Sequence, residues 1–182
     1  MWALVEDNNV TQVFTRPKAI TIGDNQYPSN IMSLWSTEDL EAIGIYEVVI
    51  DNTNFKDQEY YKNTEQTFSF SDGTVTASYG TATAKDLDIL KTNKKMDVNV
   101  EAGSILSQTD WYRIREADGG TAVPSNVSTH RTAVRTKANA MCTQIDGAAD
   151  VDALAALYEY TNTGTEEEPV YTRPLGEFPE LD

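Results

Sequence analysis

Short runs of β-forming residues dominate the first third of the chain. Trp2–Val5 and Val10–Thr15 flank the polar residues Asp7, Asn8 and Asn9, a pattern that predicts a β-hairpin with a polar turn. Ala19–Ile22 is a candidate third strand, and Ile45–Ile50 carries a strong β signature.

A short helix is predicted between these strands. Ser36 is a typical N-cap residue in front of Leu40 and Ile43, and Gly44 stands where a helix commonly ends. We therefore expect residues 1–56 to form a small β-rich docking module with one short helix.

Residues 57–83 are mostly polar and carry one clear hairpin. Phe68 and Phe70 fall on one face of the first strand, and Asp72-Gly73 is a favoured type I′ turn pair before the returning strand Thr74–Tyr79. The opposite face is rich in Ser and Thr. A lone hairpin is marginal in water, so we expect it to lie on another surface, of this chain or of a partner.

Residues 84–160 follow a helical pattern. A first segment begins near Leu87, with Gly103 as a candidate break, and Pro124 and Ser125 open a second helix. That second helix carries residues at steps of three or four, which predict an amphipathic stripe of Val127, Arg131, Val134, Ala138, Met141 and Ile145. Asp150 caps a predicted third short helix. We expect a helical hairpin in this region.

Residues 161–182 form an acidic tail. Pro169, Pro174 and Pro179 exclude a continuous helix or a central strand. The tail nevertheless contains large apolar residues at intervals, namely Val170, Tyr171, Leu175, Phe178 and Leu181. The pattern leaves open an extended arm that lies on a neighbour, a segment that folds back on its own domain, and a loose tail.

Together these patterns predict an α+β protein. Its expected order is an N-terminal β-rich module (1–56), a polar hairpin or linker (57–83), a helical region (84–160) and an extended acidic C-terminal arm (161–182).

Composition restricts the possible partners. The chain of 182 residues has 14 Lys and Arg against 29 Asp and Glu, for a net charge of −15. A phosphate backbone or an anionic membrane surface requires a basic face, so we expect neither nucleic acid nor membrane as a partner. No apolar run reaches the roughly 20 residues of a membrane span. The N-terminus lacks the basic and apolar regions of a signal peptide, so we expect synthesis in a cytosol.

Candidate chemistry is sparse. One Cys and one His exclude a zinc site of the Cys/His kind and a disulfide framework. His130 has no catalytic signature around it, and the clusters Asp86/Asp88 and Glu166–Glu168 are typical of solvated faces. We therefore predict no catalytic, cofactor or metal site, and no enzyme. Exposed Trp and Tyr with acidic neighbours would suit sugar binding, and the nine Tyr leave a carbohydrate-binding receptor module as an alternative.

Two stretches resemble proteins of tailed bacteriophages. The first combines Met1–Glu6, Ile20–Pro28, Trp35–Leu40 and Ile43–Glu47, and it resembles the N-terminal module of many phage tail-fibre-related and virion structural proteins. The second combines Gln108–Glu116, Val123–Val127 and His130–Arg135. It is similar to the helical "T-D-W … P … Y-R … R" region of tail-fibre assembly and attachment proteins, with His130 where that pattern often has Tyr.

The resemblance implies a non-enzymatic virion protein of the tail, baseplate or fibre-attachment apparatus. Its implied partners are other phage tail, baseplate or fibre proteins, in a homo-oligomer or ring. Its implied location is the virion tail, after assembly in the host cytoplasm. A dissociable tail-fibre assembly chaperone is the alternative.

Candidate contact residues follow from these patterns. We expect Asp110 to cap a helix and Trp111 to pack back onto the preceding helix. Arg131 and Arg135, one helical turn apart, are expected to pair with Glu116 or Asp118 and fix the register of two helices. The expected interface anchors are Trp2, Trp35, Trp111, Phe68, Phe70, Tyr171, Leu175, Phe178 and Leu181.

Overall fold

The fold is seen in a computed structural model that describes residues 1–181. The chain forms two compact units, one of residues 1–83 and one that begins at Ala84. Strands and helices are both abundant, which confirms the predicted α+β class.

The first unit contains eight strands and two short helices, and a ninth strand lies at its boundary with the second unit. In chain order they are β1 (Trp2–Glu6), β2 (Asn9–Phe14), β3 (Ile20–Ile22), β4 (Asn25–Tyr27), α1 (Ile31–Leu34), α2 (Thr37–Ala42), β5 (Ile45–Asp51), β6 (Tyr61–Lys62), β7 (Gln66–Ser71), β8 (Thr74–Tyr79) and β9 (Thr83–Ala84).

A five-stranded sheet in the order β2-β1-β5-β8-β7 organises this unit. β5 and β8 run parallel, with Val48 opposite Val75, whereas the other neighbours are antiparallel. The edge strands β2 and β7 also contact each other, so the sheet curls towards a barrel. The hairpin of β7 and β8 therefore extends the sheet of residues 1–56 and does not form a separate linker element.

Alternation along β1 supplies two cores. Trp2 and Leu4 pack on one face of the sheet, and Ala3 and Val5 pack on the other. The first core is covered by the short helices and contains Leu4, Phe14, Ile20, Ile31, Met32, Leu40 and Ile45. The second core lies inside the curl and contains Ala3, Val48, Val75 and Ala77, with Phe68 and Phe70 packed against them.

The predicted turns and cap of this unit are present. Asp7 and Asn8 have φ values of 51° and 60°, and Asp72 and Gly73 have 50° and 74°, as type I′ turns require. The Ser36 hydroxyl accepts a hydrogen bond of 3.2 Å from the backbone N–H of Asp39 at the start of α2.

Gly44 joins α2 to β5 in a position that only glycine fits. Its φ is +84°, and a Cβ there would lie 2.8 Å from the carbonyl oxygen of Val5. That close approach lets the Val5 N–H donate to the Gly44 carbonyl over 2.8 Å. The junction therefore ties the end of α2 to β1.

We predict that Gly44→Ala destabilises the protein by about 2–4 kcal/mol, because it adds a backbone clash to the strain of a positive φ. Gly23→Ala is the matched control. Gly23 also has a positive φ, +57°, but a methyl group added there would meet no atom within 4 Å. Its cost should stay near 1 kcal/mol. Urea unfolding of both variants measures the difference, and equal losses would contradict the close-packing account.

The second unit is mainly helical. Its elements are α3 (Leu87–Ser107), α4 (Asp110–Ala117), α5 (Ser125–Gly147), α6 (Val151–Ala156), β10 (Thr161–Asn162) and β11 (Tyr171–Thr172). Gly103 does not break α3, which runs through it without interruption. One exposed glycine costs about 1 kcal/mol in a helix, which a long packed helix tolerates.

α3 and α5 pack side by side in opposite directions. In the first half of α3, the Lys95 Nζ lies 2.7 Å from Oδ1 of Asp146 at the end of α5. At the other end of α3, the carbonyl of Leu106 accepts a hydrogen bond from Arg131, near the start of α5. This arrangement is the expected helical hairpin.

The predicted stripe on α5 is confirmed in full. All six of its residues are buried, and they face a buried stripe of α3 that consists of Leu90, Lys94, Val98 and Ala102. Asp150 also caps α6 as expected, since its carboxylate accepts from the N–H of Ala153 over 2.8 Å.

The C-terminal tail folds back on its own helices, so the expectation of an extended arm is wrong. Leu175 is 1% exposed, and its N–H donates to the carbonyl of Leu157 over 3.0 Å. Lys137 Nζ donates to the Leu175 carbonyl over 2.8 Å, and His130 Nε2 lies 2.9 Å from the carbonyl oxygen of Pro179. The prolines prevent a continuous helix or strand in the tail. Its apolar side chains and carbonyl groups therefore contact α5 and the end of α6.

We predict that Leu175→Ala costs about 2–5 kcal/mol of unfolding free energy, because it empties a buried site. Leu181→Ala is the control, since Leu181 is 43% exposed and should cost under about 0.5 kcal/mol. Chemical denaturation followed by tryptophan fluorescence tests this. A negligible effect of Leu175→Ala would show that the tail is not docked in solution.

Candidate functional site

One buried arginine organises the corner at which α3, α4 and α5 meet. Arg131 is 5% exposed within the apolar stripe of α5. Its Nη1 donates to the Leu106 carbonyl and to the Thr109 hydroxyl, each over 2.6 Å, and its Nη2 donates to Asp110 Oδ1 over 2.7 Å. A guanidinium can be buried when such acceptors replace water. A single side chain thus joins the end of α3 and the start of α4 to α5.

The prediction that Arg131 and Arg135 pair with Glu116 or Asp118 is wrong. Arg131 binds Asp110 and not Glu116 or Asp118, because Asp110 stands on the first turn of α4, next to Thr109. Asp110 is therefore an ion-pair partner, and Thr109 holds the N-cap position of α4.

The other three residues of those pairs have separate roles. Arg135 is exposed, and its Nη1 donates to the carbonyl of Arg131 over 3.4 Å. Glu116 accepts from Arg113 and from the N–H of Val123, each over 3.2 Å. Asp118 is the C-cap residue of α4.

The outer face of α4 is aromatic and exposed. Trp111 is 50% exposed, and its ring stacks on Tyr112 with the centroids 3.7 Å apart. The guanidinium carbon of Arg115 lies 5.1 Å and 5.2 Å from the two ring centroids. Ile114 adds apolar surface, with 62% of it exposed. Trp111 therefore does not pack back onto α3 as expected but forms an aromatic–arginine face on α4, consisting of Trp111, Tyr112, Ile114 and Arg115.

The loop after α4 holds this face in place. Arg115 Nε donates to the Thr121 carbonyl over 3.1 Å, and its Nη2 donates to the Ala122 carbonyl over 3.3 Å. The N–H of Gly120 returns to the Arg115 carbonyl over 2.9 Å. Side chains that are already fixed lose little conformational entropy when a partner binds.

The aromatic anchors expected in the first unit are mostly internal. Trp2, Phe68 and Phe70 pack against its two cores, and the Phe70 ring centroid lies 4.7 Å from that of Tyr46. Trp35 is 41% exposed and meets the Tyr27 ring edge to face.

The anchors expected in the tail divide in the same way. Leu175 is buried and Phe178 is half-buried, whereas Tyr171 and Leu181 are exposed. Val170 is exposed as well, so the part of the tail that remains available to a partner is Val170, Tyr171 and Leu181.

Hydrogen bonds raise the pKa of two titratable groups in the second unit. The Tyr160 hydroxyl donates to Glu177 Oε1 over 2.6 Å, which raises the pKa of Tyr160. The hydrogen bond to Asp146 raises the pKa of Lys95. Both groups keep their protons at neutral pH. The Tyr160–Glu177 hydrogen bond stabilises the tail, and the Lys95–Asp146 ion pair stabilises the helical hairpin, so both roles are structural.

Residues 1–181 contain no group of three or more His, Cys, Asp or Glu side chains placed to hold a metal ion. Over the same residues, no helix has the length and apolar character needed to cross a membrane.

No family model matches the chain, and neither the curated proteins nor the solved structures include a significant match.

We predict that Arg131→Met destabilises the protein by about 2–4 kcal/mol, because the Thr109 hydroxyl and the Leu106 carbonyl lose a charged donor. Arg135→Met, on the same helix, should change the unfolding free energy by less than about 0.5 kcal/mol. Equilibrium denaturation in urea compares the two variants. Equal losses of unfolding free energy in the two variants would show that the buried hydrogen bonds of Arg131 do not contribute to stability.

Proposed function

We propose that this chain is a non-enzymatic virion protein of the tail, baseplate or fibre-attachment apparatus of a tailed bacteriophage, acting by protein–protein docking. The resemblance rests partly on Thr109, Asp110, Trp111 and Arg131. Thr109, Asp110 and Arg131 build the corner described above, and Trp111 extends from it on the outer face of α4, which supports interpreting the motif as a scaffold for docking. The observation that carries the proposal is the half-exposed Trp111, stacked on Tyr112 and braced by Arg115.

The composition of the aromatic–arginine face suits a protein partner. Trp, Tyr and Arg are the residue types enriched at interface hot spots, where a few side chains supply most of the binding free energy. Arg115 is held by hydrogen bonds to two loop carbonyls, and the exposed Ile114 widens the apolar area of the face. We infer a partner that offers an apolar pocket, drawn from other tail, baseplate or fibre proteins, within a homo-oligomeric or ring assembly in the virion.

A dissociable tail-fibre assembly chaperone is the second candidate. A free C-terminal arm would favour a resident of the particle that grips its neighbour. The folded-back tail, with Leu175 buried in its own unit, removes that argument. The same aromatic–arginine face could then cover nascent fibre transiently, in the host cytoplasm.

Quantitative mass spectrometry of purified mature particles tests the proposal and separates the two candidates. A fixed copy number, a multiple of three or six relative to portal and tail-tube proteins, is expected for a structural component. Detection only in infected-cell lysate would identify a chaperone. Absence from both particles and assembly intermediates would overturn the phage proposal.

Trp111→Ala tests the face itself. We predict that incorporation falls at least about tenfold, because truncating a hot-spot Trp costs about 2 kcal/mol or more. Leu34→Ala is the matched control, since Leu34 is 74% exposed on α1 of the other unit. Incorporation unchanged by Trp111→Ala would reject this face. Binding to a glycan array that Trp111→Ala abolishes would instead support a carbohydrate-binding module.

A further inference from the structure

α3 is apolar on two opposite faces. One face is the buried stripe that packs on α5. The other carries Ile89, Met96 and Val100, which are 61%, 58% and 67% exposed. With about 100° of rotation per residue, these three side chains fall within roughly 40° of one another, opposite the buried stripe. A surface helix ordinarily places polar residues on that side.

The exposed face follows a heptad repeat. Steps of four and three residues connect Ile89, Asn93, Met96, Val100, Gly103 and Ser107. This repeat spans almost the whole of α3, about three heptads and roughly 30 Å of helix. The stripe on α5 has the same steps and is buried against a helix. The matching pattern on the outer face of α3 is therefore typical of a surface that packs against another helix.

Charge and polarity indicate that the other helix is a second copy of α3. The chain carries a net charge of −15, yet the six seam residues are uncharged, so two copies can approach there. Asn93 occupies an a position of the heptad, where an apolar partner would leave its amide unsatisfied but another Asn93 would pair with it.

The flanking positions favour a parallel pair. In a parallel dimer, Thr92 would face Asp97 of the second copy, and Asn99 would face Ser104, so no like charges meet. In the antiparallel dimer that pairs Met96 with Val100, Asn93 would face Gly103 and lack an amide partner, and the two Asp97 carboxylates would lie close together. We propose that the chain forms a parallel homodimer along the outer face of α3, with Asn93 opposite Asn93 setting the register. This inference does not depend on the proposed phage function.

Sedimentation equilibrium of the full chain tests the association. We expect a dimer, twice the chain mass of 20.2 kDa, at concentrations near 10 μM. Val100→Glu should raise the dissociation constant at least about 100-fold, because it buries unpaired charges in the seam. Glu is also a better helix former than Val, and the site is exposed in the single chain, so the variant should fold. Leu34→Glu, an exposed position on α1 that is not part of the seam, should leave the dimer unchanged.

Cysteine cross-linking tests the orientation. In a Cys142→Ser background, Asn93→Cys should form an intermolecular disulfide under mild oxidation, because a positions of a parallel pair face each other. Thr143→Cys, on the exposed side of α5, is the control and should not cross-link. A monomer at about 100 μM would overturn the proposal, as would a dimer that Val100→Glu leaves intact. A dimer without the Asn93→Cys cross-link would overturn the parallel register.

Discussion

The burial of one guanidinium constrains the whole second unit. Arg131 lies inside an apolar stripe, where an unpaired charge would be very costly, and its two terminal nitrogens donate to three acceptors at the α3–α4 junction. The junction must therefore stay in place for α5 to pack. The direction in which α4 leaves α3, and the exposure of Trp111 that follows from it, depend on this cluster of hydrogen bonds.

The first unit depends on a different constraint, the strict alternation along β1. Because successive side chains point to opposite faces, a strand of five residues contributes to two cores at once. Helices cover one face, and the curl of the sheet covers the other. Gly44 completes this arrangement, since the close approach to Val5 anchors the helical layer to the strand that serves both cores.

Local chemistry made much of this fold predictable. The type I′ turns at Asp7-Asn8 and Asp72-Gly73, the caps at Ser36 and Asp150 and the stripe on α5 depend on neighbours within a few residues. The α+β class followed from them.

Contacts between residues that are distant in sequence could not be predicted from local patterns. The parallel pairing of β5 with β8 and the seating of Leu175 depend on long-range packing. The choice of Asp110 over Glu116 by Arg131 depends on a bend between two helices that no periodicity shows. An arginine within an apolar stripe, with Thr-Asp upstream, was the signal that could have identified the corner. The structure then adds what a single stripe cannot show, namely that α3 is apolar on two faces.

Hydrogen exchange of the α4 amides in Arg131→Met, compared with the unaltered chain, tests the central role of Arg131 most directly. Under conditions where both proteins remain folded, the account predicts that residues 110–117 lose protection in the variant. The amides in the middle of α3 and α5 should keep theirs, because their helical hydrogen bonds and packing are unaltered. Unchanged protection of α4 would contradict the account, since it would show that the corner holds its shape without the buried guanidinium.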